Sequence, residues 1–258
     1  MIRVEGISYS YQPGRPTLSG VTFEVNEGEK VVLLGSNGCG KTTLLKILNG
    51  LLFPENGIYR FRGKPVDRRS LAGAEFRREF RRRIAFLFQN PDAMIFNPTV
   101  RDEIAFGPRQ LGLEDADERA RRWAETLGVA ALLERPPFHL STGEKQKVCL
   151  AALLALDPEV LLLDEPTGSL DPRTTGWLVD FLQDLPVTTV VTTHNLSLGA
   201  ELGKRTLVLS ESHTLMYDGP IEGILGDERK LIEANLVHIH RHKHAGVEHR
   251  HYHTHDWE

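Results

Sequence analysis

The sequence predicts an α/β fold, and three observations point to it. Short continuous apolar runs stand at 31–35 (VVLLG), 84–88 (IAFLF), 160–164 (VLLLD) and 188–193 (TTVVTT). Runs of strand length without alternation belong to strands covered on both faces, as in a parallel sheet. Segments with helical periodicity lie between them at Thr42–Asn49, Pro172–Asp184 and Ser197–Leu202, the order expected of strand–helix–strand units. From about Thr99 to Leu156 the pattern becomes several helices with no convincing strand, a helical insertion. After Thr206, two short strands (TLVLS and TLMYD) precede a Gly-Pro turn at 219–220.

Composition narrows the function. The 258 residues are 40% apolar and 26% charged, which excludes wholesale disorder. A chain of this length buries most of its apolar surface in one core without staples. Lys plus Arg total 31 against 35 for Asp plus Glu, a net charge of −4. A polyanion binder is usually basic, so no nucleic-acid partner is expected. Two cysteines, Cys39 and Cys149, exclude a disulfide scaffold and suit a reducing compartment. No stretch reaches the roughly 18 apolar residues that span a bilayer. The N-terminus lacks the apolar run of a signal peptide. The chain is expected in the cytosol, able to dock on a membrane protein.

The most specific motif is Gly35-Ser36-Asn37-Gly38-Cys39-Gly40-Lys41-Thr42. It fits G-x-x-x-x-G-K-[ST] and sits between an apolar strand and a helix that continues through Thr43, which is the context a phosphate loop needs. Glycines let the backbone wrap a phosphate without Cβ clashes. The wrapped N–H groups and the helix N-terminus then make a concave positive site. Lys41 is expected at the β- and γ-phosphates and Thr42 on Mg²⁺. A chance Gly-rich turn is the bland alternative, and Cys39 reads as a tolerated small residue rather than a redox group. At 160–171, VLLLDEPTGSLD is a strand ending in two acids. Asp164 at its end is suited to hold Mg²⁺ through water. Glu165, pointing elsewhere, is suited to polarise an attacking water. Adjacent carboxylates beside a polyphosphate are costly unless a metal balances them.

These residues resemble the ATPase subunit of ATP-binding cassette transporters, over about Ile2 to Leu225. Leu140-Ser141-Thr142-Gly143-Glu144 resembles the family signature, departing from LSGGQ at Thr142 and Glu144. Ser169-Leu170-Asp171 resembles the D-loop, His194 the switch histidine, Gln89 the Q-loop glutamine and Tyr11 the aromatic that stacks on adenine, with Tyr9 as its competitor. The resemblance implies a P-loop NTPase core with a mixed or parallel sheet, N-terminal antiparallel strands and a helical subdomain at about 99–156. It implies ATP and Mg²⁺ as cofactors, with Thr42, Gln89 and Asp164 around the Mg²⁺, and Glu165, His194 and Gln89 as the catalytic set. It also implies a sandwich dimer in which Ser141 and Gly143 of one subunit reach the γ-phosphate bound by the other. A second copy is favoured over a paralogue as that subunit. Glu144 adds negative charge there and is expected to slow closure or to pair with Lys145 or Lys147.

The segment from Gln89 (QNPDAMIFNPTVRDEIAFGPRQLGL) is similar to energy-coupling-factor importers, among them the cobalt and nickel importers. That similarity implies membrane-embedded permease subunits as partners and a peripheral place on the cytoplasmic face of the membrane. Met94, Ile95 and Phe96 are expected either to line a groove for a permease helix or to be ordinary core. The run Arg77, Arg78, Arg81, Arg82 and Arg83, with Phe76 and Phe80 spaced i, i+4, fits an amphipathic helix whose basic face is solvated or meets a partner or headgroups.

Eight of the 11 histidines lie in the tail, and a boundary is expected near Leu236, giving a cassette at 1–236 and a tail at 237–258. His238, His240, His242 and His244 alternate, as do His249, His251, His253 and His255. In an extended chain alternate residues share one face about 6–7 Å apart, and neutral imidazoles there suit Ni²⁺, Co²⁺, Zn²⁺ or Cu²⁺. The tail has little to bury and is expected to be mobile without metal. An artificial tag or a merely solvated segment are the alternatives. The combined reading is the ATP-hydrolysing motor of a nickel or cobalt importer. The alternatives are a vitamin or other-ion importer, a soluble cassette ATPase outside transport, and a metal store with an inert cassette.

Overall fold

The computed structural model describes the backbone of residues 1–244 and 247–254 and the side chains of 1–237; His255 lies outside the described residues. The chain divides into two compact units, Met1–Val66 with Val191–Glu258, and Asp67–Val190.

The first unit opens with β1 (Ile2–Gln12) and β2 (Arg15–Val25), an antiparallel pair. Ile2, Val4 and Ile7 of β1 and Leu18, Val21, Phe23 and Val25 of β2 are buried while residues between them are not. Such one-sided burial marks an antiparallel sheet with one covered face. After β3 (Lys30–Leu34) and α1 (Lys41–Leu48), β4 (Asn56–Phe61) joins the free edge of β1 and pairs with β5 (Lys64–Pro65), giving the order β2-β1-β4-β5. At Gly57, with φ +86°, a Cβ would stand 2.4 Å from the Gly6 carbonyl oxygen, so the strands approach there only because the residue is glycine.

The second unit begins with α2 (Ala74–Arg83), whose Phe80 is buried beneath its arginines, and β6 (Ile84–Leu87). The expected insertion is helical: α3 (Val100–Gln110), α4 (Ala116–Thr126) and α5 (Thr142–Leu154). Next come β7 (Val160–Asp164), parallel to β6, then α6 (Pro172–Asp184). Every residue of β6 and β7 is buried, as their unbroken apolar sequences require. The division between the units falls within β8 (Thr188–Thr192).

The chain returns to the first unit through α7 (Leu196–Leu202), β9 (Arg205–Leu209), β10 (Leu215–Pro220), α8 (Ile221–Leu225) and α9 (Glu228–Glu233). There β9 runs parallel to β3 and antiparallel to β10, so the sheet is mixed. The Thr206 hydroxyl donates to the Val32 carbonyl at 2.9 Å, which satisfies a polar group inside an apolar layer. The histidine-rich end forms β11 (Val237–His244) and β12 (Val247–Thr254), antiparallel partners in which His238 opposes His253, His240 opposes His251 and His242 opposes His249. Composition predicts a mobile tail here; the described backbone is paired instead. Among the described residues no helix is long and apolar enough to cross a membrane.

Candidate active site

In the first unit, β3 delivers the chain at full burial to Gly35, and the loop runs into α1. Two glycines there are obligatory. At Gly35 (φ +153°) a Cβ would stand 2.5 Å from Cys39 Sγ and 2.7 Å from the Leu209 carbonyl oxygen. At Gly40 (φ +115°) it would stand 2.5 Å from the Thr17 carbonyl oxygen. The cradle is therefore held by β2 and β9, and its shape depends on missing side chains. Lys41 is 7% exposed, and its Nζ donates to the carbonyls of Gly35 at 2.8 Å and Ser36 at 3.3 Å. Burying an ammonium is costly unless it is hydrogen-bonded, and these two carbonyls supply the partners. The set fits a polyphosphate: a glycine-shaped backbone, a helix start at Lys41 and Thr42, and a buried lysine.

Tyr11, 56% exposed, is tied to the loop through its hydroxyl, 3.3 Å from Thr43 Oγ1, and its ring meets Tyr9 edge-on at 5.0 Å. Of the two tyrosines it is the one whose ring is mainly open to solvent. Gly35, Ser36 and Asn37 share a cavity of about 340 Å³ with His194, Glu211, Asn235 and Leu236. The structure thus brings His194 to the loop's first residues. Gly38 is exposed on the same turn.

In the second unit, β7 ends on two buried carboxylates, Asp164 (3% exposed) and Glu165 (8% exposed). Glu165 has φ +45°, a conformation rare for a non-glycine residue and often found at working sites. A buried acid pair of this kind fits a divalent cation. Gln146 of α5 donates through Nε2 to the Pro166 carbonyl at 3.2 Å, fixing the chain just beyond the pair. Gln89 follows β6 and is exposed. Asp171 caps α6, accepting from the amides of Arg173 and Thr174 and from the Thr174 hydroxyl. These donors, the hydroxyl foremost, hold its carboxyl below the usual range. A Cβ on Gly143 would lie 3.5 Å from Thr174 Cγ2, so the start of α5 faces the first turn of α6.

Ser141 caps α5 in a reciprocal box with Glu144. The Ser141 amide and hydroxyl donate to Glu144 Oε2 at 2.8 and 2.7 Å, and the Glu144 amide donates to Ser141 Oγ at 3.4 Å. This corrects the expected pairing of Glu144 with Lys145 or Lys147. Lys145 Nζ instead pairs with Asp92 at 2.7 Å, and Lys147 Nζ lies 4.2 Å from the Trp177 ring centre. The box satisfies orphan helix amides, a local gain that a lysine pair does not supply.

The ABC transporter family profile matches residues 18–168. The chain belongs to the ABC transporter family. An ABC transporter ATP-binding protein of Methanosarcina acetivorans is 43% identical over 247 residues, covering 93% of this chain and 90% of that protein. Another from Caldanaerobacter subterraneus is 42% identical, covering 92% and 99%. Among solved structures, cbiO1 of Clostridium perfringens, part of the ABC transporter complex cbiONQ, is 29% identical with TM-score 0.76, covering 91% of this chain and 94% of that one. The ATP-binding cassette MJ0796, solved as a dimer bound to ADP and Pi, is 25% identical with TM-score 0.76, covering 86% and 99%. This chain is accordingly an ABC ATPase and the ATP-binding subunit of an ABC transporter.

The cassette also contains polar groups that the motifs do not reveal. Glu103, 5% exposed in α3, accepts from the amides of Phe96 at 2.9 Å and Asn97 at 2.8 Å. It shapes the segment after Gln89, and its place in a helix first turn is the one sequence sign of it. Of Met94, Ile95 and Phe96, only Ile95 is core. Met94 Sδ accepts from the Phe88 amide at 3.4 Å, and Phe96 is 59% exposed, meeting Phe106 edge-on at 4.8 Å. The turn between β9 and β10 brings His213 to Cys39, a contact that no local pattern announces.

Proposed function

We propose that this cassette hydrolyses ATP to drive import of a transition-metal ion, nickel or cobalt, through membrane-embedded permease subunits. The observation that carries the cargo is the backbone register of the tail, which opposes histidine to histidine at three alternate positions of a chain that also holds the ATPase loop. Clustered neutral imidazoles suit Ni²⁺ or Co²⁺. Support for the partners comes from the similarity to cbiO1, part of a transporter complex, and from the importer-like segment after Gln89. Phe96 and Phe106, both exposed, would meet the permease there.

In this reading Lys41 and the amides of 35–43 bind the phosphates, and Tyr11 stacks on the adenine. Thr42, Gln89 and Asp164 would hold Mg²⁺, which when bound balances phosphate charge. Glu165 takes up proton density from the attacking water, and His194 orients the γ-phosphate. Ser141 and Gly143, with Asp171 beside them, serve the nucleotide of a second subunit, taken as a second copy like the dimeric MJ0796. The subunit would then lie at the cytoplasmic face of the membrane, as a peripheral member of its transporter.

The test is co-expression with the membrane proteins that co-purify with the chain, followed by cellular nickel and cobalt content. Accumulation with the wild type and none with Glu165→Gln is expected. Accumulation of a vitamin instead, with metal unchanged, would support the second reading, which the segment after Gln89 equally fits.

A further inference from the structure

We infer that His213 is a positioning residue for the phosphate loop, acting on the nucleotide through the Cys39–Gly40 peptide. This rests on the reading of 35–43 as the loop that binds phosphate. His213 sits in the turn between β9 and β10 with φ +64°. Its ring Nδ1 lies 3.2 Å from the Cys39 carbonyl oxygen. A carbonyl only accepts, so Nδ1 carries the proton and donates. The turn is itself anchored: the His213 amide donates to the Ser210 carbonyl at 2.9 Å, and its carbonyl accepts from the Ser19 amide of β2 at 2.8 Å. The donor therefore comes from a fixed point.

The consequence follows from peptide geometry. A trans peptide is planar, with its carbonyl oxygen and its N–H on opposite sides, and the described chain has no cis bond. Holding the Cys39 oxygen toward the β9–β10 turn aims the Gly40 N–H the opposite way, into the cradle. Gly40, at φ +115° and ψ 6°, has no Cβ to restrict its plane, and the His213 contact on the preceding carbonyl helps to set it. A donor on the oxygen also polarises the amide, which strengthens its N–H as a donor. Cys39 is 2% exposed, and its Sγ fills the space where Gly35 lacks a side chain. The same residue thus packs the loop from within while His213 holds it from without.

The test uses the full chain, with ADP affinity by calorimetry and ATP turnover. His213→Leu removes the donor at similar bulk. ADP binding should weaken about three- to tenfold, as for one hydrogen bond, and turnover at saturating ATP should stay within about twofold. His213→Asn should restore affinity, because asparagine can present its amide nitrogen where Nδ1 stood, whereas His213→Gly, which accepts positive φ as readily but has no donor, should bind as weakly as His213→Leu. Lys41→Ala serves as the reference. If it leaves ADP affinity unchanged, the phosphate-loop reading itself fails. If it abolishes binding while His213→Leu binds like wild type, or if His213→Asn binds as weakly as His213→Leu, the positioning role is overturned and the loop reading stands.

Discussion

The Ser141 hydroxyl donates to Glu144 Oε2 at 2.7 Å, within the same helix cap. Its proton is committed inside the subunit, where the proposed dimer would use it on phosphate. A neutral amide accepts more weakly and adds no charge near a triphosphate. Glu144→Gln should therefore tighten ATP-driven association. In a Glu165→Gln background, the ATP concentration for half-dimerisation should fall about three- to tenfold, one hydrogen bond's worth. Light scattering across an ATP titration reads this directly. Weaker association in the double variant would count against the competition.

The cap has a pH signature. Hydrogen bonds from the Ser141 hydroxyl, then from its amide, hold the Glu144 carboxyl below the usual range. A lowered folded pKa contributes stability that is complete above the unfolded value, about 4.3, and is lost as pH falls through the lowered folded value. Glu144→Ala should be less stable than wild type at neutral pH, and the difference should shrink on acidification. Urea melts at pH 7 and at the lowest pH where both variants still fold check it. A gap that grows toward acid would contradict the cap.

Burial, with Glu103 next, pushes the Cys149 thiol up to about 12. Its Sγ faces the Pro91 carbonyl, and the residue is 2% exposed. Thiolate is the reactive form, so iodoacetamide at pH 8 should label Cys149 at least about tenfold more slowly in the native chain than in denaturant. Peptide mass spectrometry of timed samples tells Cys149 from Cys39. Native labelling at the denatured rate would remove the buried environment described for α5.

Legibility from sequence followed how local each signal is. The apolar runs at β3, β6, β7 and β8 state their burial outright, and the phosphate loop is written in contiguous residues. The N-terminal antiparallel strands follow from the family resemblance, but their bounds do not show in the residue pattern, because β1 shifts register against β2 between Val4 and Ile7 and again beyond it. Those shifts erase the simple alternation. The partner of Glu144 was readable, since Ser-x-x-Glu is the spacing of a capping box. A charge-pairing argument pointed instead to the neighbouring lysines. His213 meets Cys39 across 174 positions, and only the β9–β10 turn reveals it.

The tail should act as the metal-binding element. A chain shortened to end at Val237 should lose nickel stoichiometry in calorimetry while keeping ATP turnover near wild type. In the full chain, nickel affinity should drop as pH falls through about 6.5, because protonated imidazole is not a ligand. Equal stoichiometry in the two chains would leave the proposed cargo without support.

The central claim is that this chain turns over ATP with Glu165 on the attacking water. Single-turnover hydrolysis by Glu165→Gln, at enzyme in excess over Mg²⁺-ATP, tests it most directly. The account predicts that the variant binds ATP as wild type does but hydrolyses it about 10²–10⁴-fold more slowly, the usual cost of losing a positioned base. Hydrolysis at the wild-type rate would contradict it.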